Sequence, residues 1–378
     1  MEYRKMQMPS GTVSPSMLGF GCMRFPKTAD GKIDEEKAAA MIDRAIKAGV
    51  SYIDTAYPYH DGESEPFVGK VLKNYPRESY FLATKLPVWK VETLEDAQRI
   101  FDEQLTRLQE DYVDFYLLHA LNRARWDKIK ELHLVEWAEG LLKAGKIRHL
   151  GFSFHDDYSV FEEIITSRKW DFCQIQYNYM DREIQAGDKG YALAESLGVP
   201  IVIMEPVKGG TLAALPQDIE EIFTKADPKR SCASWALRWV GSRPNVKVIL
   251  SGMSTMEQVE NNLETFGTFE PLSESEEQVV AEVAATLKKR VKNGCTGCRY
   301  CMPCPFGLDI PENFLVWNEF GMYENADRAK REYLGMDEAE RADHCKKCGK
   351  CEKECPQKLH IRDDLARVSE ELGTLIQK

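Results

Sequence analysis

The sequence predicts an α/β protein: a (β/α)8 TIM barrel followed by a small, mainly helical domain that holds two metal clusters. Three observations predict it. Eight short apolar runs alternate with amphipathic stretches over about the first 265 residues. No glycine-rich phosphate loop follows the first run, as an open doubly wound sheet would require, and Gly19-Phe20-Gly21 is too short for one. Eight of the eleven cysteines crowd into two tight runs near the C-terminus. The barrel is expected over 1–285 and the second domain over 286–378.

The apolar runs lie at 17–22, 51–55, 80–86, 112–119, 147–154, 172–177, 200–205 and 247–251. Each is continuous enough to be a parallel strand buried on both faces. Helices are expected between them. In 34–48, Ala38, Met41, Ile42, Ala45 and Ile46 form one apolar stripe, with Asp34 as N-cap and Gly49 as C-cap. The stretches 94–108 and 126–143 behave likewise. Eight strand–helix repeats in roughly 250 residues describe a barrel. The charged segment 271–292 reads as a connector. Residues 293–362 form the cysteine-rich domain, with 325–341 its clearest helix and 363–378 a last helix.

The first cysteine run is Cys295, Cys298, Cys301 and Cys304, followed by Pro305. The second is Cys345, Cys348, Cys351 and Cys355, followed by Pro356. Three cysteines at two-residue intervals grip one cubane cluster, and the fourth, before a proline, reaches across to the other. Cys295, Cys298, Cys301 and Cys355 should hold one [4Fe–4S] centre. Cys345, Cys348, Cys351 and Cys304 should hold the second. A buried helix face is disfavoured by Gly297, Gly349 and the prolines. Zinc uses Cys-x-x-Cys but rarely recruits a Cys-Pro tail. A disulfide framework suits small secreted chains. The first run keeps only two residues before its last cysteine, where the second has three. Forty residues between the runs, largely helical in pattern, resemble the helical dicluster ferredoxins appended to larger oxidoreductases.

Composition narrows the function. A net charge of −11 argues against nucleic acid as partner. No apolar run approaches the roughly 18 residues that cross a bilayer, and residues 1–11 lack the apolar core of a secretory signal. A cytoplasmic protein with no membrane partner is expected.

Reactive groups of such a barrel gather at the C-terminal ends of its strands. Asp54 and Tyr59 follow the second strand, Lys85 ends the third and His119 ends the fourth. Together they would make a proton donor. A free tyrosine has a pKa near 10; a neighbouring ammonium would lower it, and an aspartate would keep that ammonium charged and oriented. A histidine could steer a substrate carbonyl. Tyr57, two residues before Tyr59, is the competing acid.

The stretch Gly49-Val50-Ser51-Tyr52-Ile53-Asp54-Thr55-Ala56 with Tyr59, then Lys85, then His119, resembles the aldo-keto reductase superfamily. So does Leu142-Lys143-Ala144-Gly145-Lys146-Ile147-Arg148-His149-Leu150-Gly151-Phe152-Ser153, and the match runs in order from about 18 to 263. With the cysteine-rich tail, the chain resembles that superfamily's iron–sulfur branch. The resemblance implies reduction of a small-molecule carbonyl by NADPH or NADH, with Tyr59 as general acid, Lys85 and Asp54 tuning it and His119 orienting the carbonyl oxygen. It implies nicotinamide contacts from Ser153 and Gln174, with Met204 where an aromatic residue usually stacks. Gly21, Met23, Glu205 and Pro206 would border the cofactor. Its phosphates would lie on Lys208, Gly209 and Gly210 and on Ser251, Gly252, Met253 and Ser254, with Gln258 and Asn262 on the next helix. Many members place Lys or Arg in this last segment for the 2′-phosphate of NADP; here stand Gly252 and Gln258.

Nicotinamide delivers two electrons together, whereas each cluster passes one, so direct coupling needs a splitter such as a flavin. No flavin signature is present, although a barrel mouth can bind FMN through a phosphate site. Three functions follow: a nicotinamide-dependent carbonyl reductase whose clusters relay electrons or serve structure; a one-electron reductase fed by an external ferredoxin-like donor; or a non-catalytic electron-transfer or redox-sensing subunit.

Overall fold

A computed structural model describes residues 1–377. The chain opens with an antiparallel hairpin, β1 (Met6–Met8) and β2 (Gly11–Val13). The eight predicted strands follow: β3 (Leu18–Gly21), β4 (Tyr52–Asp54), β5 (Phe81–Leu86), β6 (Val113–Leu121), β7 (Ile147–Phe154), β8 (Phe172–Gln176), β9 (Ile201–Met204) and β10 (Val246–Ser251). They pair in parallel in chain order, and β10 closes on β3. The hairpin has no counterpart in the sequence reading. Its alternation is too short to register, yet Met6 and Met8 pack with Tyr52, Phe115, Phe172 and Val248 in one apolar cluster.

Local signals placed most helices well. The helix Glu35–Lys47 starts at Asp34, whose carboxylate accepts from the Lys37 N–H, and buries Ala38, Met41, Ile42 and Ala45. The helix Leu94–Leu108 matches its expected bounds. The stretch 126–143 is not one helix but two, Arg123–Glu131 and Leu134–Lys143, separated by His133 at φ 53°. At 100° per residue, the stripe of Trp126 and Ile129 lies about 120° from that of Leu134, Ala138 and Leu141. A single rod would bury only one of them, and the left-handed residue swings both inward.

The chain divides into two compact units, Met1–Ala213 with Lys229–Glu277, and Ala214–Pro228 with the residues from Gln278 onward. The second unit gathers the helices Gln217–Ala226, Ile310–Tyr323, Ala326–Gly335 and Ile361–Gln377. Its apolar core holds Phe314, Val316, Trp317, Leu365, Val368 and Leu372. Arg290 joins two of these helices, pairing with Asp218 and with Glu324 at 3.1 Å. The helix expected over 325–341 stops at Gly335. There the Arg341 guanidinium donates to the carbonyls of Leu334 and Met336 at 2.9 and 2.8 Å and takes over the last-turn acceptors. Short turns replace the remainder.

Candidate functional site

In the first unit, strand register assembles the polar group. Gly21 pairs with Asp54 and Asp54 with Ala83, so Lys85, two residues beyond Ala83, points to the same face at the strand ends. Lys85 is fully buried and Asp54 is 2% exposed. The Lys85 ammonium donates to Asp54 Oδ1 and to the Thr55 carbonyl, both at 2.7 Å, and lies 3.4 Å from the Tyr59 hydroxyl. Tyr59 opens a tight turn, Tyr59–Gly62, in which His60 and Asp61 take left-handed φ values of 51° and 56°. The His119 ring meets Tyr59 edge-on, centroids 6.1 Å apart. Tyr57 turns elsewhere: its hydroxyl donates to Glu103 at 3.0 Å and Arg107 covers its ring.

Burial alone would push the Lys85 ammonium down, but the Asp54 carboxylate and the Tyr59 hydroxyl outweigh it and raise its pKa. Burial pushes the Asp54 carboxyl up, with Lys85 pulling it back. The Tyr59 phenol is also raised: burial exceeds the lowering by Lys85, contrary to the expectation from charge alone. Burial, then Lys85, His155 and Arg125, hold His119 well below the usual histidine range, so its imidazole is neutral. Its Nδ1 is buried without a hydrogen-bond partner among the described residues.

A cavity of about 610 Å3 opens at the barrel mouth against Asp54, Tyr59 and His119. Of the predicted cofactor residues it is lined by Gly21, Met23, Ser153, Gln174, Met204, Glu205, Pro206, Gly209 and Gly210. Ser251, Gly252, Met253, Ser254, Gln258 and Asn262 line it too. Ser153 and Gln174 face each other across β7 and β8. Ser153 Oγ accepts from the Ala120 N–H at 2.7 Å, and Gln174 Nε2 lies 3.5 Å from Met204 Sδ. Gln174 Oε1 is buried and has no hydrogen-bond partner among the described residues. Gly209 and Gly210 take φ values of 64° and 100°, a sharp turn that a side chain would strain.

Two predicted contacts are committed elsewhere. The Lys208 ammonium is held by Asp181 at 2.9 Å. Gln258 Oε1 accepts from the Ser254 N–H at 2.7 Å, while the N-cap Thr255 Oγ1 accepts from the Gln258 N–H at the start of the helix Met256–Gly267.

Sequence reasoning missed Arg24 and His155, both lining the cavity. His155 follows Phe154, which is fully buried against Phe161. Arg24 packs over Gly252 and toward Gly209, and its backbone carbonyl accepts from Ser254 Oγ at 2.7 Å. Its side chain is exposed and has no ion pair among the described residues. Only its place next to Met23 could have flagged it.

In the second unit, eight cysteines wall two small cavities. Cys295, Cys298, Cys301 and Cys355 surround one, backed by Phe314 and Ile361. Cys304, Cys345, Cys348 and Cys351 surround the other, backed by Leu308 and Leu365. Each quartet takes three cysteines from one run and its fourth from the other. The backbone N–H of Gly297 lies 3.5 Å from Cys295 Sγ, and that of Lys347 3.4 Å from Cys345 Sγ. The donor set is all sulfur, in apolar surroundings, and fits iron–sulfur cubanes.

A buried lysine paired with an aspartate and a tyrosine at a barrel mouth marks a candidate proton-transfer site, and sequence comparison identifies the kind of enzyme. The chain belongs to the aldo/keto reductase family, whose model matches residues 17–285, and it carries a 4Fe-4S dicluster domain matching residues 294–360. Among its relatives is an uncharacterized oxidoreductase of Bacillus subtilis, 26% identical over 292 residues, which cover 69% of this chain and 90% of the relative. An Escherichia coli protein named NADH-specific methylglyoxal reductase is 24% identical over 335 residues, covering 75% of this chain and 99% of that one. The holo form of an aldo-keto reductase from Bacillus halodurans superposes with a TM-score of 0.62 at 27% identity, over 75% of this chain and 96% of the other. Among the described residues no helix is long and apolar enough to cross a membrane.

Proposed function

We propose that the barrel reduces a small aldehyde or ketone to the alcohol with a nicotinamide cofactor. The observation that carries this reading is the buried Lys85 ammonium, held between Asp54 and Tyr59, which both line the cavity. Bound nicotinamide would supply a hydride, and bound clusters would pass single electrons. Tyr59 gives its phenolic proton to the carbonyl oxygen as charge develops there, and Lys85 stabilises the phenolate left behind. Asp54 keeps Lys85 charged and in place. His119, neutral and beside Tyr59, orients the carbonyl oxygen.

The cofactor carboxamide would lie between Ser153 and Gln174, where Gln174 Oε1 lacks a donor among the described residues. Its phosphates would follow the turn at Gly209 and Gly210 and the start of the helix Met256–Gly267, with Arg24 as their counter-charge. The family relative named NADH-specific agrees with the lack of Lys or Arg between 251 and 262. The two cysteine quartets would hold two [4Fe–4S] clusters, which suits a redox partner that exchanges single electrons.

The experiment is anaerobic. Protein with oxidised clusters is mixed with NADH or NADPH and then with methylglyoxal, following nicotinamide absorbance and the broad cluster absorbance together. Aldehyde-dependent loss of the nicotinamide band is the expected result, and its absence with both coenzymes and a panel of aldehydes overturns the reading. Bleaching of the clusters by NADH alone would favour a one-electron function coupled through a splitter.

A further inference from the structure

Charge in the second unit is distributed against the trend of the chain. The protein carries a net charge of −11, yet between 341 and 362 seven Lys and Arg face three Asp and Glu. Lys346, Lys347, Lys350 and Lys353 interleave with Cys345, Cys348 and Cys351. All four lysines are exposed, and none has an ion pair among the described residues. Of the nearby acids, Glu352 is occupied by Arg362 at 2.8 Å. Lys346 and Lys347 themselves border the cavity walled by Cys304, Cys345, Cys348 and Cys351, and so does Phe306, 46% exposed. Cys348 is exposed as well.

The other quartet differs. From 293 to 312 the chain has one basic residue, Arg299, and Asp309 neutralises it at 2.6 Å. A uniform solvated surface would not divide the two quartets in this way. Four free ammonium groups cost side-chain entropy and mutual repulsion whenever they are held together, and a bound polyanionic surface relieves the repulsion.

We propose that this face, Lys346, Lys347, Lys350 and Lys353 around the exposed edge at Cys348 with Phe306 as its apolar centre, docks an acidic protein that carries a one-electron centre. The inference rests on the reading of the quartets as cluster sites. The lysines steer and orient the partner, and Phe306 supplies the small dry contact of a transient complex. One electron passes per encounter: the partner is oxidised by one, the cluster bounded by Cys304, Cys345, Cys348 and Cys351 is reduced by one, and no bond or proton moves. A nucleic acid is the weaker occupant, because its phosphates need neither an aromatic centre nor a thiolate edge.

The test uses the cluster-loaded full chain under anaerobic conditions, with an acidic flavodoxin as probe and calorimetry as readout. Micromolar binding that weakens by about tenfold or more on raising salt from low to physiological strength is expected. K346E/K347E should weaken it by at least about tenfold, and K350E/K353E should do the same, while the cluster spectrum and aldehyde reduction with NAD(P)H stay unchanged. K169E, a charge reversal on the barrel, should leave the affinity as it was. Flavodoxin binding that ignores both double reversals overturns the proposal. So does tighter binding of a basic cytochrome, or of single-stranded polynucleotide at equal salt. A wild-type protein that holds no iron after anaerobic reconstitution overturns the cluster reading and this inference together, and iron content tells that failure from the others.

Discussion

Lys85 Nζ lies 2.7 Å from Asp54 Oδ1, with the lysine wholly buried and the aspartate 2% exposed. A pair so sealed from water is a poor device for stability, since desolvation consumes most of its Coulomb gain. The same ammonium lies 3.4 Å from the Tyr59 hydroxyl, the contact on which the proposed proton transfer depends.

Breaking the pair from one side should therefore be costly. Lys85→Met leaves a buried carboxylate without its cation, and a loss of about 3–5 kcal/mol is expected. Asp54→Asn combined with Lys85→Met should recover a large part of it. Chemical denaturation of the two variants checks this, and a single variant as stable as the parent would contradict the buried-pair account.

Tyr59→Phe removes the proposed proton donor and little volume. Carbonyl reduction should fall by about 10²–10⁴-fold, with the affinity for nicotinamide unchanged. Tyr57→Phe should leave turnover within about twofold, because its hydroxyl is spent on Glu103. Steady-state kinetics on the pair separate the two tyrosines, and equal losses would exclude Tyr59 as the acid.

The pH dependence follows from directions already described. On the proposed mechanism, reduction needs the protonated phenol, present below the Tyr59 pKa and lost above it. Burial raises that pKa above its ordinary value, so the falling limb lies beyond about pH 10. His119 is depressed well below its ordinary value of about 6.5 and is neutral at that pH and above, adding no limb in between. The turnover number should be flat between these limits. A descending limb centred near neutrality would show that another group supplies the proton.

Arg24 offers a test of the cofactor path. Arg24→Ala should raise the KM for the nicotinamide coenzyme by about tenfold with little change in kcat, the loss of one charge-assisted contact. Gln174→Leu should act in the same direction by leaving the carboxamide unpaired. Unchanged KM values in both would move the cofactor off the Gln174–Arg24 line.

The crossed quartets predict selective metal loss. Cys355→Ala should impair the cluster shared with Cys295, Cys298 and Cys301, and Cys304→Ala the one shared with Cys345, Cys348 and Cys351. Each variant should keep about four of about eight irons. Since Cys355 is buried and packs in the apolar core of its unit, its loss should also lower thermal stability more than that of Cys304. Iron assay with Mössbauer spectroscopy decides; if Cys355→Ala instead spoiled the cluster of its own run, the crossing would be wrong.

Much of the fold was legible in the residues because its signals are local. Parallel strands buried on both faces appear as unbroken apolar runs, and Asp34 marks a helix start by its own side chain. The split at His133 was not legible as a break, since each half keeps a good helical pattern and only the phase between them demands a turn. The hairpin Met6–Met8 and Gly11–Val13 was missed because three-residue strands carry almost no periodicity.

By itself the sequence determined the (β/α)8 alternation, the two cysteine runs and the four polar residues at successive strand ends, because each is a matter of residue type and spacing. The tertiary structure alone decided what those residues meet. Register carried Lys85 to Asp54; burial set Tyr59 above rather than below its free pKa; Lys208 and Gln258 were claimed by Asp181 and Ser254; and Arg24, 228 positions before Gly252, came to lie over it. Contacts between residues far apart in the chain depend on how the barrel closes, and no spacing along the chain encodes that closure.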